Sequence, residues 1–243
     1  MKLHNMQIHS DLSRCASRQM TMERIIIEAE KAGIETIGIS DHIDHLNPVR
    51  EEQLLENFVL RDKLRPAIDV KIGCEASQIN PTTIAIRSNT AEELDFVLVA
   101  ANHYHLEQVE NPTEKRPLTY AQHHLKMIVG AIDWGHTTII PHPFYLSKVR
   151  EIDHTLVMAS YDQPQLDRVL SNAAKNSVAF EINPRQVVKS PEFFQLLVSR
   201  GQQLGVKFAL GTDAHKPEDI QYNPSDLQVL EHVGVSQNHL LEV

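Results

Sequence analysis

Short apolar runs alternate with amphipathic segments along the whole chain. Apolar runs rich in Ile, Val, Leu and Phe are typical of buried strands, whereas apolar residues three and four positions apart are typical of helices that pack by one face. This pattern predicts seven strands, at 2–9, 36–40, 69–76, 96–101, 137–140, 178–182 and 207–210. It predicts helices at 22–32, 51–65, 119–134, 162–175, 190–205 and 225–232, with a short strand at 84–87 and a helical turn at 91–94.

Residues at the ends of the helical segments fit these boundaries. Thr21 is a suitable N-cap for the first helix, and Gly33 follows its last turn. Ser190 and Pro191 place a capping hydroxyl and a helix-starting proline ahead of a later helix. Pro66 is expected to end the second helix, because proline cannot continue a regular helix. The helices are therefore predicted to be separate units that connect successive strands.

Strands that alternate with helices at this spacing are typical of parallel βαβ units. Seven such strands without a linker or a repeat predict a single α/β domain over 1–243. The expected architecture is a distorted seven-stranded (β/α)7 barrel of the TIM-barrel type. In barrels of this type, functional side chains lie at the carboxyl ends of the strands.

Composition limits the classes of partner. The chain has 243 residues, 42% of them apolar, and a formal net charge of -9, which argues against binding of extended nucleic acid. Two cysteines, Cys15 and Cys74, provide no disulfide framework, so a reducing, cytoplasmic location is expected. No apolar run has the length of a membrane span, and the first residues carry no signal-peptide pattern. We expect a cytoplasmic protein without a membrane partner, and a homo-oligomer is compatible with these observations.

Acidic residues and histidines follow the predicted strands at their carboxyl ends. Asp213 and His215, for example, stand two residues apart after an apolar run, and residues two apart in an extended chain point to the same side. The full set is His9, Asp41, His42, Glu75, His103, His142, Asp213 and His215. In a parallel barrel these side chains converge, and so many buried acids and imidazoles require cations. Histidine with carboxylate suits zinc, manganese or iron, and a bridging carboxylate suits two or three ions.

Seven other histidines are interpreted differently. A single histidine on an apolar element is more often a core residue with a backbone hydrogen bond than a metal ligand. We apply this interpretation to His4, His123, His124, His136, His154, His232 and His239. Cys74 is expected to face the side of its strand opposite Glu75 and to pack in the core.

The strand-end residues lie in an ordered set of short motifs. In chain order these are Ile-His9-Ser-Asp-Leu-Ser, Ile-Ser-Asp-His42, Gly-Cys-Glu75, His103, Pro-His142-Pro and Gly-Thr-Asp213-Ala-His215. The set resembles the PHP (polymerase and histidinol phosphatase) superfamily over nearly the whole chain. The resemblance implies a metal-dependent phosphoesterase, with the five histidines as ligands, Asp213 on one ion and Glu75 bridging two.

Two positions depart from the family pattern. The family usually opens with His-x-His, but the first of these positions is Gln7, whose side-chain oxygen is a weaker, neutral ligand. A metal-binding histidine occurs six residues after His9 in some members, and Cys15 stands there in this chain. A cysteine thiolate is a good zinc ligand, so Cys15 either takes that role or packs in its loop.

The resemblance also implies that a metal-bound hydroxide attacks phosphorus in line. Arg185, directly after Asn183-Pro, is the first candidate for a phosphate contact, because arginine offers a bidentate fork. Arg14 and Arg150 are further phosphate-binding candidates in loops at the same end of the barrel. Asp41 is a candidate catalytic residue, either by orienting a ligand histidine or by passing a proton to the leaving group.

The sequence therefore favours a hydrolase with two or three divalent ions that acts on a small phosphorylated substrate, such as histidinol phosphate or a nucleotide. Two alternatives remain open. One is a metal-dependent hydrolase of amide or lactone bonds, although no strand-end lysine is present to bridge the ions. The other is a degenerate PHP protein that binds metal or ligand without turnover, which Gln7 alone suggests.

Overall fold

The computed structural model describes residues 2–146, 149 and 151–242. The strands in this part of the chain are β1 His4–Ile8, β2 Thr36–Ile43, β3 Asp69–Asn80, β4 Thr83–Ile84, β5 Phe96–Ala100, β6 Ile139–Ile140, β7 Ala179–Ile182 and β8 Phe208–Leu210. The helices are α1 Met22–Lys31, α2 Pro48–Leu64, α3 Ser88–Glu93, α4 Pro117–Asp133, α5 His154–Ala159, α6 Gln163–Lys175, α7 Pro184–Val187, α8 Pro191–Leu204 and α9 Pro224–His232. Short 3-10 helices follow at Pro217–Asp219 and Gln237–His239.

The sheet runs in the order β1-β2-β3-β5-β6-β7-β8, and every neighbouring pair on this path is parallel. Strand β4 pairs antiparallel with the end of β3 and stands off the path. The seven parallel strands form a nearly closed barrel surrounded by helices, which confirms the predicted TIM-like α/β fold. The carboxyl ends of the strands therefore share one end of the barrel.

Side chains largely close the barrel between β1 and β8. Asn5 Nδ2 donates to Thr212 Oγ1 at 2.7 Å, and Thr212 N donates back to Asn5 Oδ1 at 3.1 Å. Leu210 N donates to His4 Nε2 at 2.8 Å. An isolated parallel bridge joins Ile8, the last residue of β1, to Ala214, which lies beyond the end of β8. These contacts bring the ends of the first and last strands together at the site described below.

Apolar side chains form layers on both faces of the sheet. Outside β1, β2 and β3, isoleucines pack against the buried face of α1. Outside the remaining strands a larger cluster packs against α4, α6 and α8, and it includes Cys74 as expected. Inside the barrel a small cluster consists of Met6, Phe96, Leu98, Ile139, Ala179 and Ala209. This inner cluster lies below the polar strand ends.

Several element boundaries differ from the predicted ones. Helix α2 begins at Pro48 with Asn47 as N-cap rather than at 51, and it ends before Arg65, whose φ is 51°. Strand β2 extends past 40 to Ile43, because it pairs in register with β3 along its whole length. Helix α9 begins after Asn223, which forms a capping box with Asp226, rather than after Ser225. Strand pairing and helix capping determine where these elements begin and end, and the spacing of apolar residues does not predict such boundaries.

Helix α4 starts earlier than predicted, at Pro117, and α5, between β6 and α6, is a helix that the sequence pattern did not predict. The described helices include none long and apolar enough to cross a membrane.

Candidate metal centre

A β-bulge in β1 positions the side chains of the first residues of the site. The register between β1 and β2 shifts between Asn5 and Ile8. Met6 packs in the inner cluster, and the next side chain, Gln7, also reaches the interior, where its Nε2 donates to Glu75 Oε2 at 3.1 Å. A bulge permits two successive side chains to face the same side of a sheet. The bulge thus places Gln7 directly beneath His9 at the strand end.

Glu75, near the middle of the long strand β3, is the hub of the site. Its carboxylate is fully buried and faces the barrel interior. Four histidine nitrogens surround it, and their distances to its oxygens are 3.2 Å for His9 Nε2, 3.5 Å for His42 Nδ1, 3.1 Å for His103 Nε2 and 2.8 Å for His142 Nε2. The strand ends predicted to converge do meet around this carboxylate.

Three groups of side chains have spacing suitable for a metal ion. In each group one ligand atom per residue lies within 4.8 Å of the others. The groups are His9, His42 and His215; His42, Glu75 and His103; and His9, Glu75 and Asp213. Because the groups share residues, they form one continuous cluster of possible ligands.

Ser77 and Asp44 orient His103, and the sequence analysis missed both. Ser77 Oγ donates to Asp44 Oδ1 at 2.8 Å and lies 2.7 Å from His103 Nδ1. A hydroxyl has one proton, so Ser77 accepts from Nδ1–H of the imidazole. This tautomer leaves Nε2 available beside Glu75.

His215 is fixed in a similar way. Its Nδ1 lies 2.7 Å from the backbone oxygen of Asp213 and donates to it, so Nε2 is available as a ligand. Cys15 Sγ lies 3.1 Å from this Nε2. The structure therefore brings Cys15 to the rim of the cluster, where a thiolate can reach an ion held by His215.

Two of the site residues adopt a left-handed backbone. His142 has φ 62° and Asp213 has φ 54°, values that favour glycine. Asn102 supports the turn at His142, since its Nδ2 donates to the backbone oxygens of His142 and Tyr145 at 2.9 Å each. Such backbone conformations persist where the surroundings impose them, and they often occur at functional sites.

Neighbouring groups of opposite charge shift the pKa values of the acids and histidines in the cluster. The pKa of Glu75 lies well below its ordinary value, because His42 and His142 outweigh the effect of burial. Burial opposes protonation of His142, but the charge of Glu75 raises its pKa to about 9. For His9, hydrogen bonds to Asp213 and Glu75 overcome burial and raise the pKa well above its ordinary value. The carboxylates thus attract positive charge, as a site for cations must.

Asp41 anchors the loop that follows β1. It is fully buried, and its carboxylate accepts from Ser10 N at 2.8 Å, Ser10 Oγ at 2.6 Å and Ser13 Oγ at 2.6 Å. His42 N in turn donates to Ser13 Oγ at 3.2 Å. These contacts tie Asp41 to the loop after β1 and, through Ser13, to the backbone of His42, and the catalytic role considered for Asp41 stays a prediction.

The predicted phosphate-binding arginines are placed differently from one another. Arg14 lines a cavity beside the cluster. Arg185 is directed away from it: its guanidinium donates to the backbone oxygens of Asp219 at 3.1 Å and Gln221 at 3.3 Å, and lies 3.4 Å from Asp219 Oδ1. The short helix α7, which begins at Pro184 after the N-cap Asn183, turns the Arg185 side chain toward the loop before α9. Arg150, with the neighbouring Lys148, lies outside the described residues.

Glu181, at the end of β7, is a site residue that the sequence analysis missed. It is buried, and burial raises its pKa well above the ordinary value. An added Cβ at Gly211 would overlap Glu181 Oε1 and would lie 3.1 Å from Gln7 Cβ. Its place after an apolar strand was the same signal that identified Glu75.

Several buried polar atoms of the cluster have no hydrogen-bond partner in the described part of the chain. These are Gln7 Oε1, His9 Nδ1, His42 Nδ1 and both carboxylate oxygens of Glu181. Buried polar groups are rarely left without partners in folded proteins, and metal ions are one way to satisfy them. The donor set of the site therefore fits divalent metal ions.

Two adjoining cavities open onto the cluster. The smaller, about 90 Å³, is lined by residues that include His142, Tyr145, Gln186 and Asp213. The larger, about 410 Å³, is lined by the loops after β1 and β2 and includes Arg14. His42, His103 and His105 line both cavities, so the two spaces lie next to each other beside these histidines.

The sequence and the fold of this chain are similar to those of known proteins. The PHP domain model matches residues 5–185. A probable phosphatase of Caldicellulosiruptor bescii is 24% identical over 201 residues, which cover 82% of this chain and 75% of that protein. A probable phosphatase of Vibrio parahaemolyticus is 22% identical over 222 residues, covering 88% and 79%.

Two solved structures share the fold. The histidinol phosphate phosphatase of Lactococcus lactis, complexed with zinc, L-histidinol and phosphate, has a TM-score of 0.68 at 19% identity and covers 97% of this chain and 95% of its own. A structure from Listeria monocytogenes assigned as a histidinol phosphatase has a TM-score of 0.63 at 10% identity, with 89% and 97% covered. The domain match spans well over half of the 243 residues, and the chain therefore belongs to the PHP domain family.

Proposed function

We propose that this PHP-domain protein is a metal-dependent phosphatase that hydrolyses a small phosphate ester. The observation that carries the proposal is the convergence of histidines and carboxylates from six strand ends around Glu75. Its membership of the PHP family and its likeness to proteins named as probable phosphatases support the same reaction class.

The proposed metal ligands are His9, Cys15, His42, Glu75, His103, His142, Asp213 and His215, with Gln7 as a weaker one. Two or three divalent ions of zinc, manganese or iron suit this mixture of imidazole and carboxylate. When bound, such ions activate a water nucleophile and neutralise negative charge that develops on the phosphoryl oxygens.

The chain's own residues supply positioning. Glu75 holds the surrounding imidazoles in one arrangement, and the Ser77–Asp44 pair fixes the ring of His103. The smaller cavity, bordered by Asp213, is suited to a phosphoryl group. The larger cavity beside it is suited to the rest of the substrate, where Arg14 is a candidate contact for a negatively charged group.

The substrate class we propose is a small phosphorylated metabolite, with histidinol phosphate and nucleotides as the first compounds to test. The Lactococcus lactis protein of the same fold binds histidinol and phosphate. A cavity of about 410 Å³ has room for a group of this size.

The experiment is elemental analysis of the purified protein together with hydrolysis assays in the presence of zinc or manganese. The assays use an aryl phosphate monoester, an aryl phosphate diester, histidinol phosphate and a set of nucleotides. We expect two or three ions per chain and metal-dependent release of the alcohol. In Glu75→Gln we expect kcat/KM to fall by at least about 100-fold, since the hub of the cluster loses its charge.

Glu56→Gln, which changes an exposed glutamate on α2, is the matched control and should keep wild-type activity. Ions bound at full stoichiometry without hydrolysis of any ester would overturn the proposal and favour a PHP protein that binds ligands without turnover. Hydrolysis of amide or lactone substrates alone would place the protein in the other class considered from the sequence.

A further inference from the structure

The interior of the cluster contains two buried oxygen-bearing side chains: Gln7, named above as a weaker ligand, and Glu181, which has no role in the ligand set above. Gln7 comes from β1 and Glu181 from β7, the two strands on either side of β8 in the barrel. Gln7 is fully buried and Glu181 is 1% exposed. Gln7 Oε1 and both oxygens of Glu181 have no hydrogen-bond partner among the described residues. Three buried acceptors are thus available in one region.

Gly211, just after β8, keeps these two side chains next to each other. A Cβ at this position would overlap Glu181 Oε1 and would lie 3.1 Å from Gln7 Cβ. Any larger residue would fill the space in which the carboxylate lies. The glycine therefore leaves room for Glu181 beside Gln7.

Gln7 also joins this region to the metal cluster. Its Nε2 lies 3.1 Å from Glu75 Oε2, and that same oxygen is 3.2 Å from His9 Nε2. His9 Nε2 is in turn 3.1 Å from Asp213 Oδ1. The group of His9, Glu75 and Asp213, which has metal-binding spacing, therefore borders Gln7 directly.

The available donor atoms differ between the two sides of Glu75. Beside Gln7 and Glu181 they include the oxygens of Glu75 and Asp213 and the imidazole of His9, which also belongs to a group with His42 and His215; the Asp213 side chain is partly exposed and borders the smaller cavity. On the outer side they are imidazoles of His42, His103, His142 and His215 together with the sulfur of Cys15. Oxygen-rich sites suit hard ions such as manganese and magnesium, whereas imidazole and thiolate sites suit zinc.

We propose that Gln7 and Glu181 are oxygen ligands of a deep, manganese-type site that they form with His9, Glu75 and Asp213, while the outer histidines hold zinc. A side-chain amide donates or accepts according to which way it is turned, so rotation of the Gln7 amide directs its oxygen to the ion. With an ion bound, the Glu181 carboxylate would supply the negative charge that glutamine at position 7 does not. The inference rests on the metal centre of the proposed phosphatase and assigns that centre a mixed-metal composition.

The test uses the full-length protein after removal of metal with a chelator and reconstitution in an equimolar mixture of zinc and manganese. Bound metal is measured by elemental analysis, and the environment of manganese by electron paramagnetic resonance. Wild type is expected to retain both metals. Glu181→Gln is expected to bind manganese at least about 10-fold more weakly while its zinc content stays unchanged.

Gln7→His provides a second variant, since it replaces an oxygen donor by an imidazole at the same position. We expect it to raise the zinc content and lower the manganese content of the deep site. The matched control is Glu51→Gln, which neutralises another buried glutamate with an unpartnered oxygen, located beside Arg87 and Thr90 and outside the cluster. This control should bind both metals as wild type does.

Several results would overturn the inference: wild type that takes up zinc alone, Glu181→Gln with undiminished manganese, or Glu51→Gln with the same loss. The readout is metal content, so it is independent of turnover. A protein that binds manganese through Glu181 but hydrolyses no phosphate ester would contradict the proposed function and leave the mixed-metal centre in place.

Discussion

Asp41 shows how one buried carboxylate organises a loop at the candidate site. It accepts three hydrogen bonds from Ser10 and Ser13, and Ser13 then accepts from the backbone N–H of His42. The loop after His9 and the end of β2 are thereby held together. We assign Asp41 a positioning role rather than a proton-transfer role, since its oxygens are already engaged.

Asp41→Asn is expected to lower the free energy of unfolding by about 1–3 kcal/mol, because an amide nitrogen cannot accept the bonds that one of the oxygens accepted. The measurement is denaturant unfolding of the metal-loaded protein. The variant's pH profile for kcat should keep the shape of the wild-type profile. Disappearance of one limb of that profile would instead indicate proton transfer by Asp41.

Ser77 is the second residue whose contribution lies behind the ligands. Ser77→Ala removes the acceptor for His103 Nδ1–H, so the imidazole loses its fixed tautomer. We expect zinc affinity to fall by about 10–100-fold, as is usual when the partner of a ligand histidine is removed. Competition with a chromophoric chelator measures this affinity. Ser171→Ala, which removes an exposed hydroxyl from α6, is the control, and an equal effect there would refute the role of Ser77.

At the level of elements, the junction between β1 and β8 depends on side chains. His4 is buried and its Nε2 accepts from Leu210 N, so only the neutral imidazole fits. Burial lowers the pKa of His4 to about 4. In the unfolded chain a histidine takes up its proton near pH 6.5. Between these values the unfolded state binds more protons, so stability contributed by His4 is lost as the pH falls.

His4→Gln is expected to reduce this loss, because a glutamine oxygen can accept from Leu210 N without titrating. Between pH 6.5 and pH 4, protonation of His4 in the unfolded state alone lowers the stability of the wild type by about 3 kcal/mol. The stability of His4→Gln should therefore decline less than that of the wild type over this range. Urea unfolding at a series of pH values measures the difference. His232→Gln, at an exposed position, is the control. Parallel curves for His4→Gln and wild type would contradict the role of His4 in closure.

At the level of the whole molecule, the site is a group of buried charges at one end of the barrel. Glu75 and Glu181 are buried and Asp213 is partly exposed, and without cations the negative charge of the cluster is offset by histidines such as His9 and His142, whose pKa values it raises. Metal ions that bind only the folded state add stability, about 4 kcal/mol at a thousandfold excess over Kd. The fold and the metal centre are therefore expected to be thermodynamically coupled.

Chelation should lower the melting temperature by about 10 °C, given the usual conversion for a chain of this size. Scanning calorimetry before and after dialysis against a chelator measures the change, and addition of zinc with manganese should restore the original value. A melting temperature that does not respond to the chelator would show that the cluster is stable without ions.

The amino-acid sequence alone was sufficient for the barrel and for most residues that surround Glu75. Alternating apolar and amphipathic segments report strands and helices locally, and the carboxyl ends of parallel strands meet wherever such a barrel forms. His42, Glu75, His103 and His142 could therefore be selected before any distance was known. The family assignment, confirmed by the domain match, rests on the same ordered motifs.

Only the tertiary structure decided how the surrounding residues are used. The direction of Arg185 depends on carbonyls in a loop more than thirty residues away, and the room for Glu181 depends on Gly211 in the neighbouring strand. The tautomer of His103 depends on Ser77, a residue of another strand. Neighbours that are distant in sequence determine how a side chain is oriented, whether its buried polar atoms are hydrogen-bonded and which of its atoms can act as a donor. The local sequence pattern therefore cannot predict these properties.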